Sequence, residues 1–124
     1  MNMAGIKRFE DIKAWQKARD LNNEIYNITN TGAFSKDFTL QNQIRKASIS
    51  VMLNIAEGFG RKSDREFRQF LVYANGSSLE VQSTLYIALD QKYVSKEKFD
   101  NLYSKISEIS KMIQNLSKYL SKKD

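Results

Sequence analysis

The chain of 124 residues contains no proline and only five glycines, and this lack of backbone breakers most constrains its fold. Apolar residues recur along the chain at steps of three and four, which is the period of an amphipathic helix. Because few residues interrupt this period, the pattern indicates long helices rather than strands and tight turns. The sequence therefore predicts an all-α protein.

The apolar period divides the chain into four helical segments. They span about residues 11–30, 36–57, 64–92 and 96–121. Ser35 is predicted to cap the second helix, and Ser63 with Glu66 forms a capping box for the third. The fourth helix has a heptad seam, which is typical of coiled-coil packing. Because the connectors are short, we expect a single domain over residues 1–124, an up-down-up-down antiparallel four-helix bundle.

The absence of cysteine and histidine narrows the possible functions. Disulfides, thiolate metal sites and cysteine nucleophiles are excluded, and so are histidine proton shuttles. A di-iron carboxylate bundle requires Glu-x-x-His pairs, which this chain cannot supply. We therefore expect no enzyme, no metal and no cofactor. One enzymatic alternative remains, a carboxylate hydrolase in which Glu57 and Glu80 lie together in an open pocket.

The charge and hydropathy of the chain indicate where it acts and what it binds. The first residues lack the apolar stretch of a signal peptide, and no run approaches the ~18 apolar residues of a membrane span. We therefore expect a soluble cytoplasmic protein.

The formal net charge of the chain is +6. That excess favours an anionic partner, with nucleic acid ahead of a membrane surface.

A basic hairpin tip is predicted between the second and third helices. Gly58 and Gly60 end one helix, and a cluster of cations follows them: Arg61, Lys62, Arg65 and Arg68. Spacings of four and three should put the three arginines on one face as the third helix begins. The guanidinium groups of arginine and the free amides at the start of a helix both donate hydrogen bonds that bind phosphate. The alternative is a solvated tip whose cations pair with Asp64 and Glu66.

Two further groups of cations extend the predicted nucleic-acid-binding surface. Antiparallel helices should bring the tail cations Lys118 and Lys122, with Lys123, to the same end of the bundle as the hairpin tip. Arg45 and Lys46 form a second basic strip on the second helix, for which surface solvation is the alternative. Phosphate contact through such residues would be largely independent of sequence.

Several residues of the motifs are predicted to act structurally. Phe59 could stack on an unpaired base, but packing onto its own helix is the favoured interpretation. Asn54 and Glu57 should bond backbone donors at the turn and fix its shape. Gly76 and Glu80 interrupt the apolar pattern of the third helix. A glycine inside a helix suggests close approach of a neighbouring helix or of another subunit.

A series of ordered motifs, covering residues 9 to about 94, resembles those of one known family. They lie at 9–12, 15–18, 40–47, 54–61, 66–71 and 75–80, and the longest reads Asn-Ile-Ala-Glu-Gly-Phe-Gly-Arg at 54–61. The chain resembles the four-helix-bundle proteins encoded in 23S rRNA intervening sequences, to which the accessory variability determinant of diversity-generating retroelements is similar. This resemblance implies a ring-like homopentamer with a basic surface and nucleic-acid association. In the retroelement branch it also implies a reverse transcriptase as a protein partner.

Two functions are consistent with these observations. The first is a non-enzymatic, homo-oligomeric protein that binds the RNA or DNA backbone. The second is a protein-only oligomeric adaptor that docks a partner enzyme such as a reverse transcriptase, with its charge serving solubility. Binding that weakens as salt rises would favour the first function. A partner retained after nuclease treatment and at high salt would favour the second.

Overall fold

The computed structural model describes residues 6–122, most of which form four helices. They are α1 (Lys13–Thr29), α2 (Phe38–Phe59), α3 (Asp64–Asp90) and α4 (Lys96–Ser121). Short 3-10 helices at Phe9–Asp11 and Gly32–Lys36 precede α1 and α2. No strand occurs within residues 6–122. The all-α prediction is confirmed, and the helix bounds differ from the predicted ones by about two residues.

Contacts between side chains establish the antiparallel order of the helices. Ion pairs join Lys17 to Glu108 and Glu24 to Lys105, so α1 and α4 run in opposite directions. The hydroxyl of Ser77 on α3 donates to that of Ser50 on α2, and Gly58 further along α2 lies against Phe67 earlier in α3, so these two helices also run in opposite directions. We call the end that holds the start of α1, the 60–63 turn and the end of α4 the hairpin pole. The opposite end, with residues 30–37 and 91–95, is the far pole.

The core consists of one apolar stripe from each helix. Ile25, Ile44, Ile55, Leu85 and Ile106 are fully buried. Burying such a side chain contributes about 1.5–3 kcal/mol, so these stripes are the main favourable term of the fold. The heptad seam of α4 is buried as predicted, except that Leu116 is only partly covered.

The helix caps confirm one sequence prediction and correct another. Ser63 caps α3, and its hydroxyl accepts a hydrogen bond from the Glu66 amide at 3.1 Å, which confirms this half of the predicted capping box. Ser35 does not cap α2, because it lies inside the second 3-10 helix and donates to the Gly32 carbonyl at 2.7 Å. Asp37 is the cap, with Oδ1 accepting from the Leu40 amide at 3.0 Å. The extra 3-10 turn delays the start of α2 by two residues.

The two glycines before the hairpin turn have roles that the sequence did not indicate. Gly58 lies inside α2, where a Cβ would come within 2.8 Å of Phe70 Cβ and 2.9 Å of Phe67 Cδ1. Gly60 caps the helix in the right-handed region, with φ of −76°. The turn therefore does not need a left-handed glycine. Gly58 instead permits close packing of α2 against α3.

A layer of small polar side chains fills the middle of the bundle. Asn54 Nδ2 donates to the Ser50 carbonyl at 2.9 Å and to the Ser50 hydroxyl at 3.0 Å. The Ser110 hydroxyl of α4 donates to Asn75 Oδ1 at 2.5 Å. The prediction that Asn54 bonds donors at the turn is therefore wrong, because its partner lies one helical turn upstream. Together, the Ser77–Ser50 and Ser110–Asn75 bonds connect α2, α3 and α4.

Candidate nucleic-acid interface

The hairpin pole carries an excess of positive charge. Within residues 6–122 eight cations lie there against five acids, Glu10, Asp11, Glu57, Asp64 and Glu66. The cations are Lys7, Arg8, Arg61, Lys62, Arg65, Arg68, Lys118 and Lys122. The tail residue Lys123 lies outside the described residues. The antiparallel fold thus brings the predicted tip and tail cations to one end of the molecule.

Arg61 precedes helix α3 and is held by one side chain of α2 and one of α3. Its guanidinium donates to Glu57 Oε1 at 2.9 Å and lies 4.4 Å from the centre of the Phe70 ring. Since α3 begins at Asp64, helical spacing does not fix the direction of Arg61. The expectation of three arginines on one face of α3 is therefore wrong. Glu57 stabilises the turn through this ion pair.

The other predicted tip cations differ in how much of their charge is available. Lys62 and Arg65 are exposed, and neither forms an ion pair with an acid of the described part. Both flank the first turn of α3, whose amides favour an anion. Arg68 is half-buried and already takes part in another interaction, so it is not a free cation. Neither Asp64 nor Glu66 forms an ion pair with Lys62 or Arg65, so the alternative of a neutralised tip does not hold for these two cations.

Phe59 packs inward at the hairpin turn. It is partly buried against the core, and its ring meets the Phe67 ring edge-to-face with centroids 6.1 Å apart. This arrangement confirms that Phe59 packs, but its ring partner is Phe67 of α3 rather than its own helix. Phe59 is therefore not presented for stacking on a base.

Arg45 and Lys46 lie away from the hairpin pole, in a shallow groove of about 560 Å³ between α1 and the outer face of α2. Arg45 Nε donates to the Thr29 hydroxyl at 2.9 Å, and Nη2 donates to Asn30 Oδ1 at 2.8 Å. Its guanidinium carbon lies 4.4 Å from the centre of the Tyr26 ring. From Arg45 to Arg61 the chain advances about 24 Å at helical rise, so the predicted surface consists of two separate parts.

The carboxylates proposed for a hydrolase are not brought together. Glu57 lines the α1–α2 groove, whereas Glu80 lines a different groove beside Asp37, Thr84 and Ile87. Within residues 6–122 no group of three acidic side chains could hold a metal ion. The specific arrangement on which the hydrolase alternative depends is therefore missing.

The outer face of α3 is apolar, which the sequence analysis did not identify. Val72 is 60% exposed and Leu79 is 57% exposed, with Tyr73 and Ile87 beside them. Gly76 lies among them, and a Cβ added there would meet no atom within 4 Å. No other helix of residues 6–122 approaches Gly76, so that half of the prediction is wrong. The sequence does contain a signal for this face, because its apolar residues recur at helical spacing on the side of α3 opposite to the core stripe.

None of the helices within residues 6–122 has the length and apolarity required to cross a membrane.

These features define the class of protein as a four-helix bundle with a basic hairpin pole, a second cationic groove and an apolar outer face on α3. The sequence profile of the family described as "23S rRNA-intervening sequence protein" matches residues 10–115. The chain belongs to this family. The resemblance to the intervening-sequence proteins is thereby confirmed, and the match also extends over most of α4. The similarity to the retroelement determinant stays a prediction.

A solved structure has the same fold. It is the crystal structure of a protein with unknown function from the S23 ribosomal protein family of Bacteroides thetaiotaomicron. The two share 21% sequence identity with a TM-score of 0.78, and the match covers 85% of this chain and 98% of the other. At this identity the likeness establishes the fold alone. A comparison with curated protein sequences finds no match to this chain.

Proposed function

We propose that this protein is a non-enzymatic, homo-oligomeric accessory protein that binds the phosphate backbone of RNA or DNA. The observation that carries the proposal is the pair of exposed cations Lys62 and Arg65, which form no ion pair with a described acid and lie beside the first-turn amides of α3. Membership of a family named for 23S rRNA intervening sequences agrees with a nucleic-acid role. The absence of histidine and cysteine supports the non-enzymatic part of the proposal.

Self-association is the second part of the proposal, and the outer face of α3 supports it. Large exposed apolar side chains surround Gly76 there, and contiguous apolar surface of this kind is typical of protein contacts. A ring would repeat the basic pole and add the fields of its copies. The pentameric number rests on the family resemblance, and a cytoplasmic setting stays a prediction.

Salt titration tests the backbone-binding proposal. We expect the logarithm of the binding constant for labelled duplex DNA or RNA to fall linearly with the logarithm of salt between about 50 and 200 mM. The double variant Lys62→Gln with Arg65→Gln should reduce the slope by about 1.8 per subunit engaged, since each phosphate contact contributes about 0.9 on B-DNA. Lys98→Gln, which removes a far-pole cation, is the control and should leave the slope unchanged. Absence of binding at about 50 mM salt would remove the proposal.

The second candidate is a protein-only adaptor, which the apolar face of α3 also favours. In this case the face would dock a partner enzyme. A relation to the retroelement branch, and with it a reverse transcriptase as the partner, stays a prediction. Co-purification of an enzyme after nuclease treatment and at high salt, abolished by Leu79→Glu, would favour the adaptor.

A further inference from the structure

Arg45 is an arginine positioned by neutral groups. Its two hydrogen bonds go to the hydroxyl of Thr29 and the amide oxygen of Asn30, and its flat face covers Tyr26. The Thr29 hydroxyl donates to the Ile25 carbonyl at 2.8 Å, which turns its lone pair toward Arg45. The side chain is thus fixed while its charge is not cancelled by a carboxylate. A guanidinium ordered in advance binds phosphate with little further entropic cost.

The groove also contains a second unpaired cation and free hydrogen-bond donors. Lys46 is exposed, and neither it nor Arg45 forms an ion pair within residues 6–122. Arginine has five N–H donors, and its protein partners in the described part engage two of them. The one acid lining the groove is Glu57, which is about 18 Å along the helix from Arg45 and paired with Arg61.

An apolar strip continues from these cations along the outer face of α2. Ile49 and Leu53 line the same groove, and Leu53 is 57% exposed. Leu53 lies about 12 Å from Arg45 at helical rise. In a duplex the flat faces of the bases are stacked on each other, whereas a base outside the stack can lie against an aromatic or apolar side chain. Cations followed by an apolar strip therefore match a single strand better than a duplex.

We propose that the α1–α2 groove binds single-stranded nucleic acid, with Arg45 and Lys46 at phosphates and Ile49 and Leu53 against an unstacked base. The inference rests on the proposed function, and it adds a second contact region and a preference for single strands. The charge of the groove and its freedom from unpaired acids favour a polyanion as the occupant.

Fluorescence anisotropy with a short labelled oligouridylate, compared with a labelled duplex, tests the inference. Lys46→Gln should reduce the salt slope for the oligouridylate by about 0.7, the value of one phosphate contact on a single strand. Leu53→Ala should weaken oligouridylate binding several-fold and leave duplex binding unchanged. Both residues are exposed, so neither change should disturb folding. Lys111→Gln, an exposed cation of α4, is the matched control and should behave like the unaltered chain.

The outcomes separate this inference from the proposed function. If Lys46→Gln and Leu53→Ala bind oligouridylate like the control while the Lys62–Arg65 double variant loses binding, the groove inference is overturned and the proposed function stands. If the unaltered chain binds neither probe, both are overturned. If Leu53→Ala lowers the mass by light scattering without changing binding, Leu53 belongs to a subunit contact and the groove inference is also overturned.

Discussion

Gly58 and Gly76 both lie inside helices, but only Gly58 is closely packed against another helix of the chain. In a helix interior each costs roughly 1 kcal/mol relative to alanine. Around Gly58 the side chain and backbone of Phe67 and the Cβ of Phe70 leave no room for a methyl group. Around Gly76 the space is open. Gly58 therefore has a packing reason within the chain, whereas Gly76 has none.

The alanine variants of these glycines should change stability in opposite directions. Gly58→Ala should lower the free energy of unfolding by about 1–3 kcal/mol, because overpacking forces α2 and α3 apart. Gly76→Ala should raise that free energy by up to about 1 kcal/mol in the monomer, because helix propensity improves and nothing is displaced. Urea unfolding followed by circular dichroism measures both. Equal effects of the two variants would contradict the packing assigned to Gly58.

At the level of the helices, one carboxylate connects the start of α2 to the turn between α3 and α4. Asp37 Oδ1 caps α2, and Asp37 Oδ2 accepts a hydrogen bond from the Tyr93 hydroxyl at 2.9 Å. The Tyr93 ring also stacks on Phe34 with centroids 5.0 Å apart. The hydrogen bond to Asp37 raises the pKa of Tyr93 above its usual 10.0, with smaller effects of burial and of the Asp37 charge. The contact therefore requires the protonated phenol.

This link predicts a loss of stability at alkaline pH. Because the pKa of Tyr93 is raised in the folded state, its contribution is complete below the unfolded pKa of about 10 and is lost as pH rises through the higher folded value. Tyr93→Phe lacks the titrating group. The difference in unfolding free energy between the unaltered chain and Tyr93→Phe should therefore shrink above pH 10. A difference that stays constant from neutral to alkaline pH would contradict the link.

At the level of the whole molecule, charge and apolar surface occupy different places. The hairpin pole concentrates cations, the α1–α2 groove holds Arg45 and Lys46, and the outer face of α3 is apolar. Arg65 precedes Val72 by two helical turns on the same face of α3, so an association of copies through that face would have to end short of the first turn of α3 for Arg65 to stay open to nucleic acid.

The outer face of α3 predicts how the assembly can be broken. Leu79→Glu places a charge on a residue that is 57% exposed in the single chain, so the helices should still form. If copies pack there, the mass measured by light scattering should fall from that of the assembly, with five subunits expected, to that of one chain. Asn101→Glu, an exposed position at the far pole of α4, is the control and should keep the mass. An unchanged mass for Leu79→Glu would exclude this face as the subunit contact.

Local patterns determined the helices, the core stripes and the cap at Ser63, because apolar period and capping chemistry depend on residues three or four positions apart. The placement of the tip and tail cations at one pole also followed, since short connectors between helices permit few topologies. The tertiary structure alone decided that Arg61 turns back onto Glu57 and Phe70, that Gly58 admits the Phe67 and Phe70 side chains, and that Arg45 is held by Thr29 and Asn30. These contacts join residues of different helices or follow the fold of a turn, so their geometry exists only when the helices are packed together.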